Sequence, residues 1–299
     1  MKKKISLFDI CNTAFMLIVL IITVYPLYFT VIASVSDPSA VAKGDVFLLP
    51  VGFRMNAYKT LLGYKQLWIA YGNTIFYTIC GTIFNLLLTI PAAYATSKKY
   101  MPARNFVLTF FLITMYFGGG MVPTYLLIKS MGLVNTRLVM IIVSGLSVYN
   151  MIITRTYFST SIPESLFEAA EIDGAGELRK FVTIAMPLAK PIIAVITLYY
   201  AVGHWNAYFN ALIYLSDINL EPLQTVLRRI LMENETALEV IMGGINVSED
   251  ILRDSAQKAY EAYAMKYAVV FIASLPLLIA YPFVQKYFVK GVMIGAVKE

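Results

Sequence analysis

Neutral amides and aromatic rings supply most of the polar chemistry inside the apolar stretches of this chain. Asn73, Asn85, Tyr116, Tyr149, Asn150, Tyr199, Tyr200, Trp205, Asn206, Tyr208 and Asn210 all fall there. A sugar presents hydroxyl edges and apolar ring faces, so amides beside aromatic platforms suit it. Each asparagine taken singly serves equally well as glue between helices, and each aromatic as part of an interface belt. As a substrate pathway the strongest candidates are Trp205, Asn206, Tyr208 and Asn210, together with Tyr149 and Asn150. Other chemistry is poorly supplied. His204 is the one histidine, and Cys11 and Cys80 are the only cysteines, too few for a multi-histidine metal site or a disulfide framework. His204 reads as a packing residue. No Asp, Glu, Lys or Arg sits at the centre of an apolar run, so no catalytic pair, nucleophile–base set or proton relay can be built at one depth. That disfavours a membrane enzyme or scaffold and a proton-coupled secondary transporter, while Na⁺ coupling through neutral oxygens stays open. The sequence has no Gly-x4-Gly-Lys-Ser/Thr to cradle ATP phosphates. The chain is therefore expected to bind no cofactor, and any ATP and Mg²⁺ to sit on partner subunits.

The elements that must position these side chains are membrane spans. Of 299 residues, 59% are hydrophobic and 14% charged, against about 25% charged in soluble domains. The apolar residues gather in runs of 17 or more without Asp, Glu, Lys or Arg. Such a run crosses ~30 Å of hydrocarbon as a helix. Six are expected: Thr13–Ala33, Tyr71–Ala95, Phe106–Ile128, Leu138–Thr154, Ile192–Leu215 and Tyr267–Gln285. The fold class is thus all-α, a polytopic membrane protein with six transmembrane helices. Pro91, Pro276 and Pro282 are expected to kink their spans. Residues 1–70 form an N-terminal span and first extracytoplasmic segment, 71–290 the main transmembrane domain, and 291–299 a tail. With the N-terminus inside, the inner pieces carry 13 of the 24 Lys and Arg residues, and most of the others lie in two long outer loops where the bias counts for little. Both termini are then cytoplasmic. The +6 balance marks inner loops, so nucleic acid is not expected as a partner. In the outer loop Ser216–Lys266, Leu223, Val226, Leu227, Ile230 and Leu231 recur at helical spacing, and Ser248 reads as the N-cap of a second helix reaching Ala264.

Between the fourth and fifth spans lies Ser161-Ile-Pro-Glu-Ser-Leu-Phe-Glu-Ala-Ala-Glu-Ile-Asp-Gly174. Ser161 with Glu164 fits a capping box, and Pro163 falls where a first-turn proline is tolerated. The helix should run to Asp173 and stop at Gly174 in a left-handed cap. Leu166, Phe167 and Ala170 lie on one side of it, and Glu164, Glu168 and Glu171 on the other.

Glu168-Ala169-Ala170, Gly174, Ile184 and Met186-Pro187 at this spacing resemble the EAA signature of ABC-importer permeases, with Met186 where the family has Leu. Phe117-Gly-Gly-Gly-Met-Val-Pro-Thr-Tyr-Leu-Leu127, Trp205-Asn-Ala-Tyr-Phe209 and Lys286–Lys298 are similar to carbohydrate permeases of the maltose-importer class. The resemblance is strongest to permeases for oligosaccharides from complex polysaccharides. It implies a type I ABC importer permease fold in a bacterial cell (inner or plasma) membrane. It also implies coupling helices near 162–186, in which Glu168, Ala169, Ala170 and Gly174 engage an ATPase. The partners it implies are a second homologous permease, two cytoplasmic ATPase subunits, an extracytoplasmic solute-binding protein, the carbohydrate and the bilayer.

Overall fold

The computed structural model describes residues 6–242, 265–276, 278, 279 and 282. Those residues are predominantly helical and contain no strand. In chain order the helices are α1 (Leu7–Ser34), α2 (Pro38–Lys43), α3 (Asn56–Gly63), α4 (Lys65–Ser97), α5 (Arg104–Tyr116), α6 (Met121–Ser130), α7 (Arg137–Ile142) and α8 (Val148–Thr160). Next come α9 (Glu164–Ile172), α10 (Glu177–Lys180), a π turn (Phe181–Ala185), α11 (Met186–Leu188), α12 (Lys190–Trp205), α13 (Tyr208–Tyr214) and α14 (Leu223–Met242). A further helical segment covers Met265–Pro276. The second loop helix expected from Ser248 and the tail 291–299 lie outside the described residues.

Two compact units divide the chain. The first holds residues 6–68 with 226–242 and 265–276, and the second holds 69–225. In the first, Ser6 caps α1: its Oγ accepts from Phe8 N, and Asp9 Oδ2 accepts from Ser6 N at 3.0 Å, a reciprocal pair that starts the helix firmly. Asp37 caps α2 through Ser39 N at 2.9 Å and pairs with Arg54 at 2.8 Å. Hydrogen bonds from Ser39 hold the Asp37 carboxyl below its ordinary value.

Helices α1 and α4 are long and apolar enough to cross a membrane as single rods. Pro91 lies inside α4 without ending it. The other expected spans are not single helices. Phe106–Ile128 breaks into α5 and α6, bent by 112°. Gly118–Gly120 forms the break, because Gly120 at φ +84° occupies a region that a Cβ disfavours. Leu138–Thr154 breaks between α7 and α8 at Val143–Ser147, and Ile192–Leu215 breaks between α12 and α13 at Asn206-Ala207. Hydropathy reads only composition, so it runs straight across such interruptions. In a low-dielectric interior each break strands backbone carbonyls that side chains must then satisfy.

A hydrophobic cluster in the second unit gathers Ile90, Tyr94, Met151, Phe158, Phe167, Ile192 and Ile196. It fixes α4, α8, α9 and α12 against one another. At the other end of α4, Asn73 Nδ2 donates to Asn219 O at 2.7 Å, Tyr77 Oη to Leu220 O at 2.8 Å, and Thr74 Oγ1 accepts from Leu223 N at 2.7 Å. These bonds pin the segment leading into α14. Leu223, Val226 and Leu227 are buried on α14, the apolar stripe that its periodicity demands.

Candidate functional site

Two places in the second unit hold the residues singled out above. The first is the α8–α10 loop. Helix α9 ends as its sequence dictates: Gly174 has φ +77°, its N donates to Glu171 O at 2.9 Å, and Ala175 N donates to Ala170 O at 2.8 Å. That pair of bonds is a Schellman closure. The start differs from expectation. Pro163 stands at the N-cap position, no side chain caps the helix, and Ser161 instead ends α8. The Ser161–Glu164 capping box therefore does not form. Glu164 turns to Lys98, with Nζ 3.8 Å from Oε1.

Helix α9 is held from beneath by charges that local pattern did not reveal. Phe167 is buried against Tyr94, with ring centroids 6.1 Å apart, and Lys98 Nζ lies 3.1 Å from the Phe167 centroid. Burial pushes the Lys98 ammonium below its ordinary value, with Glu164 opposing. Lys180 Nζ donates to Glu171 Oε2 and Glu177 Oε1, both at 2.9 Å, which raises its pKa. Tyr100 Oη donates to Glu177 Oε2 at 2.7 Å. Burial alone would raise Glu177, but the bonds from Tyr100 and Lys180 outweigh it and leave this carboxyl below its ordinary value. Glu168, Ala169 and Gly174 are exposed and Ala170 is half-buried. Leu166, expected beside Phe167, is exposed as well, because α9 rests on the Phe167 edge alone. Ile172 and Leu178 are 87% and 77% exposed, so the outer surface of the loop presents two large apolar side chains as well as the exposed Glu164, Glu168 and Glu171.

The second place is a cavity of about 460 Å³ where the broken helices meet. Asn150, Asn206 and Asn210 line it, with Asn85, Ser144, Ser147, Tyr199, Tyr200 and His204. Tyr149, Trp205 and Tyr208 do not. Trp205 is buried edge-on against Tyr71, with centroids 6.3 Å apart, while Tyr149 and Tyr208 are exposed elsewhere. Among the described residues the cavity walls carry no carboxylate, ammonium or guanidinium.

Asn85 organises this cavity. It is fully buried, and its Nδ2 donates to Ser144 O and Gly145 O, the carbonyls freed by the α7–α8 break. Its Oδ1 lies 2.7 Å from His204 Nε2. Tyr200 Oη meets Thr89 Oγ1 at 2.7 Å and accepts from Ser147 N at 3.1 Å. Asn210 Nδ2 reaches Ser144 Oγ at 3.4 Å. Gly81 makes room for the histidine: a Cβ there would lie 2.3 Å from His204 Cε1. Sequence reasoning missed Ser144, Ser147 and Gly81. The Ser144-Gly145 pair inside an apolar run was the one signal of a break.

The arrangement agrees with what the chain resembles as a whole. Residues 60–294 match the family described as binding-protein-dependent transport system inner membrane component. Protein LplC of Bacillus subtilis (strain 168) is 37% identical over 292 residues, 97% of this chain and 95% of that protein. The polygalacturonan/rhamnogalacturonan transport system permease protein YtcP of the same organism is 33% identical, covering 99% of both chains. Among solved structures, a chain from the crystal structure of a bacterial ABC transporter involved in the import of the acidic polysaccharide alginate matches with a TM-score of 0.80 and 35% identity, over 94% of this chain and 96% of that one.

Proposed function

The chain belongs to the family of binding-protein-dependent transport system inner membrane components, and from that premise we infer that it is the permease subunit of an ATP-driven importer for an oligosaccharide derived from a polysaccharide. One observation carries the sugar reading. Among the described residues the cavity at the helix breaks is lined by amides, hydroxyls and aromatic edges, a wall suited to a hydroxyl-rich surface. In this reading Asn150, Asn206 and Asn210 contact substrate. Asn85 and His204 hold the cavity's shape.

In the same reading the chain crosses the membrane six times with both termini in the cytoplasm. The bent pair α5–α6, the broken pair α7–α8 and the pair α12–α13 each count as one span, and the sixth starts at Met265–Pro276. Residues 71–290 form the transport domain. The α8–α10 loop then faces the cytoplasm, where α9 docks in a cleft of an ATPase through Glu168, Ala169, Ala170 and Gly174. ATP hydrolysis belongs to two such subunits, and a second permease and a solute-binding protein complete the importer. The closed, glycine-ended α9 and the exposed Ile172 and Leu178 support this role.

Two measurements test the reading. A reporter active only outside the cytoplasm should work when fused after Leu231 and stay silent after Arg179; activity at Arg179 would put α9 on the wrong side. Uptake of labelled oligogalacturonides and other plant or algal oligosaccharides should require this chain and a partner ATPase together. Uptake by this chain alone would return the ion-coupled alternative.

A further inference from the structure

Near the α9 end of α4, two arginines from different helices converge on one backbone oxygen. Arg104 Nε donates to Thr96 O at 2.9 Å, and Arg155 Nε to the same oxygen at 3.0 Å. Thr96 lies in the last turn of α4, where helix carbonyls lack intrahelical partners, and the two arginines fill both lone pairs of its oxygen. A neutral carbonyl balances neither positive charge. Each guanidinium carries five N–H donors, and the described residues engage one on each. Neither arginine has a carboxylate within ion-pair distance among those residues. The acids of the adjoining loop are committed elsewhere, Glu164 to Lys98 and both Glu171 and Glu177 to Lys180. Lys99, three residues after Thr96, adds an exposed cation. Two half-buried like charges side by side are unfavourable unless an anion stands between them.

We propose that Arg104 and Arg155 form a fork for a phosphate oxyanion, filled by the headgroup of an anionic phospholipid from the leaflet at this end of α4. Paired planar guanidiniums match phosphate oxygens bidentately. Basic pockets between helices at a membrane's inner face are suited to anionic headgroups. The apolar surface beside the fork favours lipid over free phosphate: Phe106 and Phe110, on the first turns of α5 after Arg104, are 73% and 57% exposed and offer a track for an acyl chain. The inference rests on α4 and α5 being membrane spans.

The test uses the full importer in mild detergent and reads lipid retention by native mass spectrometry, which does not depend on transport. Phosphatidylglycerol should be retained over phosphatidylcholine by about five-fold or more, the weight of one arginine at a membrane surface. Arg155→Gln leaves Arg104 on Thr96 O, so the cap and fold survive, yet the preference should drop several-fold. Arg104→Gln/Arg155→Gln should abolish it. Millimolar inorganic phosphate should leave lipid retention unchanged. If phosphate alone stabilises the parent chain and phosphatidylglycerol shows no preference, the lipid assignment is overturned in favour of a free anion. If the parent and both variants retain phosphatidylglycerol equally, the fork is only a helix cap and the proposal fails.

Discussion

The α9 loop and the cavity at the helix breaks belong to one compact unit, yet they are held by opposite means. Ions hold α9: Lys98 stacks on Phe167 and reaches Glu164, and Lys180 bridges Glu171 to Glu177. Neutral groups hold the cavity: Asn85 spans two freed carbonyls and His204, and Tyr200 joins Thr89 to Ser147. The difference teaches where each kind of bond can work. Beside water, charges form a stiff frame that keeps a short exposed helix in place. At membrane depth a fixed charge is costly, and amides do the same work at lower desolvation cost.

Breaking the α9 frame should have the largest effect. Gly174→Val forces a β-branched residue to φ +77°, at a cost of about 1 kcal/mol or more, and Ala170→Trp adds bulk where a partner must approach. Both should cut uptake at least ten-fold at matched membrane levels, with ATPase co-purification lost. Parental uptake by both variants would leave α9 an ordinary surface helix. Next comes Asn85→Leu, which orphans the Ser144 and Gly145 carbonyls at about 1–3 kcal/mol each. Thermal unfolding of the purified chain should show a clear loss of stability. Asn206→Ala, by contrast, should lower uptake with stability unchanged. Gly81→Ala sharpens the cavity side further. Its Cβ would collide with the His204 ring, a cost of about 1–3 kcal/mol, and His204→Ala in the same chain should restore part of the stability. No recovery in the double variant would show that the close approach of α4 and α12 does not limit stability.

The smallest effects lie on the ionic side. Glu168→Gln keeps the shape of α9 and should change uptake by less than about two-fold, since exposed charge pairs contribute little. Glu177 is held below its ordinary value, so its contribution is complete at neutral pH and is lost as pH falls through the folded-state pKa, below about 4.5. Protease access to residues 164–180 should rise in that acid window, and Glu177→Gln should remove the step.

Much of the ionic region was legible in the sequence. The Schellman end at Gly174 follows from glycine's freedom at positive φ, a local property that a sequence carries openly. The capping box at Ser161 failed because α8 continues through Thr160 and takes Ser161 for its own end. Lys98 and Lys180 were invisible as a frame, since Lys98 lies 66 residues from Glu164 in the sequence and only the fold brings them together. The cavity was legible in its residue types and not in its membership. Asn150, Asn206 and Asn210 line it because breaks in α7–α8 and α12–α13 turn them inward, and hydropathy averages over those breaks. Trp205, one residue from Asn206, faces Tyr71 instead.

The contacts of Asn85 also set an order of assembly during synthesis. Its partner carbonyl at Ser144 leaves the ribosome 59 residues later, roughly 3–12 s at 5–20 residues per second. Asn85 is therefore synthesised before the interrupted segment whose carbonyls it binds. His204, 119 residues after Asn85, is the last of these partners to be synthesised, so the full set of Asn85 contacts waits for the α8–α10 loop and α12 to be made.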